Sequence, residues 1–506
     1  MTPISRRSVL LGSAVGALSL VGLGACSRPG AAVGVHSDSV VKAEAARRAR
    51  GQRAVTAALS PRLATVDLGG VPVRTWAYGE TVPGPLLRAT AGDLLAVTVD
   101  NQLPTDTSVH WHGVALRNDM DGVPGMTQQP IGAGQRFRYE FTAPDPGTYF
   151  YHPHSGVQLD RGLYGVLVVE DPHEKGDYDH EWVIVLDDWV DGIGRTPDDI
   201  LAGLRAAAPG GASHGGMGGM EGMGGMDHGS MGMGGMGEAM TSPFLGGAGD
   251  VSYPHYLING RVPSAPVTLT GKPGQRVRLR IVNAGSDPAF RVAIGGHRMT
   301  VTHTDGFPVQ PSQADALLVG MGERYDVRLT LGDGAFPLVA LAEGKGGQGL
   351  AVIRTAAGAT PPPAARPAGL DGLTVTAADL VATADARLPE RAVDRTHDLV
   401  LSGSMAPYRW TLNGKTFEDA DPLEVRQGER VQLRFINMSM MFHPMHVHGH
   451  TFALAGSGVR KDTVIVRPMQ SLVVALDAVN PGQWATHCHN IYHAEAGMMT
   501  TLSYRT

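Results

Sequence analysis

The chain reads as an all-β protein made of three copies of one strand-rich unit. Glycine (68) and proline (34) are abundant among its 506 residues, enough to end short strands at close intervals. Gly92, Gly274 and Gly428 each open an alternating, strand-like stretch that ends in asparagine nine residues later, at Asn101, Asn283 and Asn437. A second set of marks, Gly147, Gly334 and Gly482, opens a later strand in each copy. Recurrence of one ordered pattern is the signature of a repeated structural unit. The expected division is 46–172, 173–358 and 370–506, with a 359–369 linker marked by Thr360-Pro361-Pro362-Pro363.

The histidines fall on this repeat. Nine residues beyond the three asparagines come His110-Trp111-His112-Gly113, Val292-Ala293-Ile294-Gly295 and His446-Val447-His448-Gly449. Five and seven residues beyond the second marks come His152 and His154, then Val339 and Leu341, then His487 and His489. Alternate side chains of a strand share a face, so each His-x-His pair aims two imidazoles the same way. Copies one and three thus offer eight imidazoles, too many for one ion and suited to a multinuclear cluster. Copy two has aliphatic residues at all four places.

Between His487 and His489, Cys488 points to the opposite face. Its counterparts in the other copies are Pro153 and Ala340; those of His443 are Thr107 and Ala289. His493 corresponds to Gln158 and Met498 to Leu163. Only the third copy can therefore assemble Cys488, His443, His493 and a distant Met498. That soft set, three ligands plus a weak axial one, suits copper that shuttles single electrons. The bland reading, a buried cysteine among chance histidines, fits poorly with ordered clusters that hold half of the 20 histidines.

In order and spacing these clusters resemble the four copper motifs of the multicopper oxidases, over nearly the whole mature chain. The resemblance implies three cupredoxin-like Greek-key β-sandwich or barrel domains and four copper ions. It also implies that His443, Cys488 and His493, with Met498 axial, hold a type 1 copper. By the same carry-over, His110 and His446 belong to a type 2 copper. His112, His152, His154, His448, His487 and His489 belong to a type 3 pair. The implied reaction passes electrons from a reductant through Cys488 and its flanking His487 and His489 to a trinuclear cluster, where dioxygen becomes water. Asp121, after HWHG, matches the family's proton-supplying acid; with Gly122 it equally suits a turn.

The reductant is addressed by residues 214–240, which hold eight of the 21 methionines, among them Met217, Met220, Met223 and Met226, set mostly in glycine. No helical or strand period survives that much glycine, and thioethers are soft ligands for Cu(I). The alternative is a linker of drifted composition. The stretch resembles the methionine-rich insert of bacterial cuprous oxidases, although it falls earlier in the chain. The acid those enzymes carry before HPxH is replaced here by Ser439. A substrate-copper site would then use Met441 with another acid such as Glu495, unless Met440 and Met441 merely pack. The expected reductants are Cu(I), then Fe(II) or phenols as in a laccase; a non-enzymatic Cu(I) buffer is the third reading, and it would need no cluster.

Ser5-Arg6-Arg7-Ser8 followed by an apolar run resembles a twin-arginine export signal, and Leu23-Gly24-Ala25-Cys26 a lipobox. Residues 1–26 are read as the signal, with Cys26 lipidated or the signal simply cleaved, and 27–45 as a tether. The expected location is the periplasm or the outer face of the cell membrane. Removing that signal takes away two arginines and no acid, so the formal net charge moves from −6 to −8. A mildly acidic surface disfavours nucleic acid and suits cationic substrates. With Cys26 and Cys488 the only cysteines, these roles leave no disulfide, and a monomer is expected.

Overall fold

A computed structural model describes residues 30–174, 176–206 and 241–506. The signal with Cys26, and Met217, Met220, Met223 and Met226, lie outside the described residues. The described chain is all-β, and its three copies repeat one plan. In each, an early strand runs parallel to the one opened by the first glycine mark: Ala54–Leu59 with Leu94–Asp100, His180–Trp189 with Arg276–Asn283, and Arg395–Met405 with Arg430–Asn437. In each, a short strand also pairs in parallel with a late one: Leu87–Thr90 with Gly165–Glu170, Val267–Thr270 with Gln348–Arg354, and Leu423–Val425 with Met499–Tyr504. The remaining pairings are mostly antiparallel.

The sequence marks have a physical basis. Gly92, Gly274 and Gly428 sit at φ of 90°, 82° and 91°, a left-handed turn that residues with a Cβ avoid. The three asparagines do one job: Asn101, Asn283 and Asn437 donate through Nδ2 to Ile131 O, Val319 O and Val466 O, and accept a main-chain N–H two residues on. Each thereby pins the loop that precedes a histidine strand or its aliphatic counterpart. In the first and third copies the strands pair His110 with His152 and His446 with His487. The middle copy pairs Val292 with Ala340, one residue from the Val339 that the repeat implies. No shared ligand set constrains the register there.

Two-layer packing supplies the cores. In the first copy Leu95, Val97 and Val99 of one sheet meet Trp111, Tyr151 and Leu167 of the other. The second and third copies share a continuous core that runs from Leu279 and Ile281 to Leu433, Trp484 and Cys488.

The segment expected as a tether is not free beyond Gly30. Ala32 bridges to Arg505, and Val33 N donates to Tyr504 O at 2.9 Å. The helix Asp38–Arg47 buries Val40 and Glu44. The Glu44 carboxylate accepts from Thr142 N (3.1 Å) and Thr142 Oγ1 (3.0 Å) in the first copy, while Arg47 donates to Asn480 Oδ1 in the third. This docking is not marked in the sequence, because its apolar anchors are few and its partners are distant in the chain. Among the described residues no helix is long and apolar enough to cross a membrane.

Replacing Glu44 with alanine leaves two buried donors of Thr142 unpaired and should lower the unfolding free energy by about 1–3 kcal/mol. Urea unfolding of Glu44→Ala beside the unaltered protein measures this; a change below about 0.5 kcal/mol would mean that the helix contributes little to stability.

Candidate metal centres

Two centres lie on opposite faces of one strand pair. Gln483–Cys488 runs antiparallel to His443–Val447, with Met445 opposite Cys488 and His446 opposite His487. Alternation sends Cys488 and His443 to one side, and His487 and His446 to the other.

On the first side, Cys488 Sγ lies 3.6 Å from His443 Nδ1 and 3.5 Å from His493 Nδ1, and the two nitrogens are 3.1 Å apart. All three are buried, and the triangle has room for one ion at ordinary metal–nitrogen and metal–sulfur distances of about 2.0–2.3 Å. His493 comes from the short helix Ile491–Glu495, whose start is capped by the Asn490 side chain. Met498 is fully buried in the same apolar cluster, and its carbonyl accepts from Cys488 N at 3.1 Å. The outer ring nitrogens are held: Ser439 Oγ is 2.9 Å from His443 Nε2, and Asp250 Oδ2 is 2.9 Å from His493 Nε2. Burial disfavours a charged His493 ring, but the Asp250 charge and hydrogen bond, with the Cys488 thiol, raise its pKa to about 10. Tyr408 donates to the same Asp250 oxygen at 2.7 Å, and the Trp410 ring lies 4.2 Å from that of His493.

On the other side eight histidines converge. Their ligand atoms form three sets: His110, His112 and His446; His112, His152 and His489; His154, His448 and His487. The outer nitrogens are taken by fixed acceptors. Nδ1 of His110, His152, His446 and His487 donates to the carbonyls of Asp121 (2.8 Å), Pro153, Asp462 and Cys488 (each 2.9 Å). His448 Nδ1 donates to Asp121 Oδ2 at 2.9 Å. His112 is turned the other way, with Nε2 at Thr463 Oγ1 (2.9 Å) and Asp462 Oδ1 (3.1 Å).

These bonds set the tautomers so that the opposite nitrogens present lone pairs inward. Four such buried atoms lack any hydrogen-bond partner: Nε2 of His110, His152 and His446, and Nδ1 of His112; both ring nitrogens of His489 are buried without a partner as well. His448 Nε2 approaches His487 Nε2 at 3.0 Å, two acceptors face to face that need a cation between them, and His154 Nε2 lies 3.4 Å from the same His487 atom. Burial, followed by crowding with neighbouring rings, pushes the pKa of His152, His154, His448, His487 and His489 well below the usual range. Neutral imidazole is the ligand form, so the residues present fit a group of metal ions.

The remaining sequence candidates fall nearby. Asp121 is fully buried, with Oδ1 3.2 Å from His110 Nδ1. Met441 lies against Gly247, where a Cβ would come within 2.8 Å of its Sδ. Glu495 ends the short helix that carries His493; its main-chain carbonyl accepts from Arg205 at 2.6 Å, and burial raises the pKa of its carboxyl against the Arg205 charge. The acid that reaches His493 is Asp250, which sequence reasoning missed. It follows a glycine-rich stretch with no spacing to mark it. Asp462 was missed too, since its role rests wholly on contacts made by folding.

Multicopper oxidase family models match residues 63–174, 235–358 and 392–506. The chain belongs to the multicopper oxidase family. It is an oxidoreductase with cupredoxin-like domains, and family membership implies bound copper. It is 48% identical to the multicopper oxidase MmcO of Mycobacterium tuberculosis, over 99% of this chain and 96% of that protein. It is 29% identical to a copper resistance protein A homolog of Pseudomonas syringae pv. tomato, over 82% of this chain and 87% of that protein. Among solved structures, a multicopper oxidase from Pseudomonas thermotolerans aligns with TM-score 0.65 and 26% identity, covering 89% of this chain and 100% of that one. The L499M mutant of the Botrytis aclada laccase aligns with TM-score 0.71 and 25% identity, covering 89% and 87%.

Because these nitrogens converge only when the chain is folded, metal should bind the folded state far better than the unfolded chain. Copper added to the metal-free protein at about 100 times its dissociation constant should then add about 2.7 kcal/mol of stability per site. Differential scanning calorimetry reads this as a raised Tm; an unmoved transition would argue against preformed sites.

Proposed function

We propose that this multicopper oxidase is a cuprous oxidase of copper resistance, coupling oxidation of Cu(I) to reduction of dioxygen to water. The observation that carries the reading is where the methionine-rich stretch attaches. Before it, Arg205 in the helix Pro197–Ala206 donates to the carbonyl of Glu495, two residues past His493. After it, Thr241–Ser242 pairs with Gly246–Gly247, which lies against Met441 and Pro468. Both attachments therefore flank the Cys488 centre. Four exposed methionines, Met405, Met438, Met440 and Met469, belong to the third copy that builds this centre. Thioethers at a surface favour a soft cation.

In this reading His443, Cys488 and His493 with Met498 would hold type 1 copper, and His110 and His446 would hold type 2 copper. The sets His112, His152, His489 and His154, His448, His487 hold the type 3 pair. When bound, the four coppers supply one-electron acceptance at the first site and four-electron reduction of dioxygen at the second. The protein's part is geometric. Cys488 joins the two sites through its own main chain to His487 and His489, so an electron crosses a single strand. Asp250 aims His493 from outside, and Ser439 does the same for His443. Asp121 orients His448 through Oδ2, while Oδ1 is placed to hold a proton beside His110. Export by a twin-arginine signal and lipidation at Cys26 complete the proposal.

A second reading, a laccase-type oxidase of phenols, draws on the likeness to the Botrytis laccase. Against it, the ligand rings of the Cys488 centre, His443 and His493, are wholly buried and offer a bulky phenol no direct contact.

Copper-loaded protein should consume oxygen when supplied with Cu(I), and should lose its intense blue absorption in Cys488→Ser. Deleting residues 214–240 should slow Cu(I) turnover several-fold more than that of a bulky phenol. Oxygen-electrode rates on both substrates decide: equal or improved Cu(I) turnover in the deletion would exclude delivery by the methionine stretch.

A further inference from the structure

The middle copy carries none of the eight clustered histidines, yet Gly322 lies against two of their rings and Arg324 and Asp305 reach them through Asp462. Arg324, wholly buried, forms a two-pronged ion pair with Asp462 of the third copy: Nη1 to Oδ1 at 2.6 Å and Nη2 to Oδ2 at 2.7 Å. Its Nε donates to Thr148 O of the first copy at 2.9 Å, so one side chain ties all three copies together. Asp462 in turn serves two rings of the cluster. Its Oδ1 faces His112 Nε2 from the first copy at 3.1 Å, and its carbonyl accepts from His446 Nδ1 at 2.9 Å. Those two rings stack with centroids 3.8 Å apart.

The surroundings are built for this pair. Asp305, also from the middle copy, accepts the main-chain N–H groups of Asp462 (3.1 Å) and Thr463 (3.2 Å) through Oδ2. A Cβ at Gly113, the residue after His112, would lie 2.4 Å from Arg324 Nη2 and 2.6 Å from Asp462 Oδ2. A Cβ at Gly322 would come within 2.9 Å of both the His112 and His489 rings. The close approach of the middle copy thus requires glycine on both sides of the contact. Without Arg324, Asp462 would be a buried carboxylate facing His112 with no full counter-charge, free to turn or to take a proton.

We propose that Arg324 is a positioning residue for the trinuclear centre, acting through Asp462 to hold His112 with Nδ1 toward the metal and His446 with Nε2 toward it. It touches neither metal nor dioxygen. The inference rests on the copper assignment above, and its loss should fall on the cluster while sparing the Cys488 centre. Removing a partner that orients metal ligands typically costs about 10–100-fold in metal affinity.

The test uses the full chain loaded with copper, comparing the unaltered protein with Arg324→Gln and Arg324→Lys. Readouts are copper per protein after dialysis against a chelator, the type 2 electron paramagnetic resonance signal, and blue absorbance. Arg324→Gln should release cluster copper about 10–100-fold more readily and lose the type 2 signal while keeping the blue band. Arg324→Lys keeps the buried charge but not the fork, and should fold, retain copper better than Arg324→Gln, and show a shifted type 2 hyperfine splitting. An unshifted splitting in Arg324→Lys overturns the proposal, whether or not Arg324→Gln folds. Equal loss of blue and type 2 signals in a folded variant also overturns it, since that marks a general structural role. Absence of both signals in the unaltered protein would instead reject the copper assignment.

Discussion

Six buried ring nitrogens with no hydrogen-bond partner are the constraint on which the rest of this structure depends. A buried lone pair without a donor is costly, and a native protein keeps several together only where something else satisfies them. Outside His489, the outer nitrogens opposite these atoms are held by a main-chain carbonyl, a carboxylate or a hydroxyl from a neighbouring strand or loop. The acceptors come from more than one copy of the repeat. The strands must therefore pack in one relative arrangement before the centre exists. Protonation would relieve the crowding, but burial keeps most of these rings neutral, which leaves metal as the natural partner.

The two centres share a strand pair, and this sharing has a simple origin. A β-strand turns successive side chains to opposite faces, so Cys488 cannot look toward the cluster that His487 and His489 line. The facing strand obeys the same rule, with His443 on the thiolate side and His446 on the other. Two chemically distinct sites are thus held at a fixed separation by backbone geometry alone. No hinge or mobile side chain lies between them. The environments differ accordingly: the thiolate side meets Trp410, Tyr408 and the apolar core, whereas the cluster side meets Asp121, Asp462 and Thr463.

The copy without histidines is the one that closes the arrangement. Arg324, Asp305 and Gly322 extend from it to the loop of Asp462 and to the rings of His112 and His489. Asp250, which lies ahead of the matching strands, reaches His493 on the other centre. A unit with aliphatic residues at all four histidine places therefore still contacts the residues that surround both sites. The amino-terminal helix adds a second cross-link, joining Thr142 in the first copy to Asn480 in the third.

Glycines that demand left-handed turns, asparagines that pin loops, and paired histidines at strand spacing are local signals, so they can be read without coordinates. They determined the all-β class, the threefold repeat, the grouping of ten histidines with Cys488, and the opposite facing of that cysteine. What tertiary structure alone decided are the partners whose importance comes from distance in space. Asp250, Asp462 and Arg324 stand at no recurring interval, and the ordered segment after Gly30 has too few apolar residues to announce its docking. The middle register also slipped by one residue where no ligand held it. Strand alternation acts between near neighbours and is written in the chain. Charge pairing across copies arises only when residues more than a hundred positions apart are brought together, as Arg324 and Asp462 are.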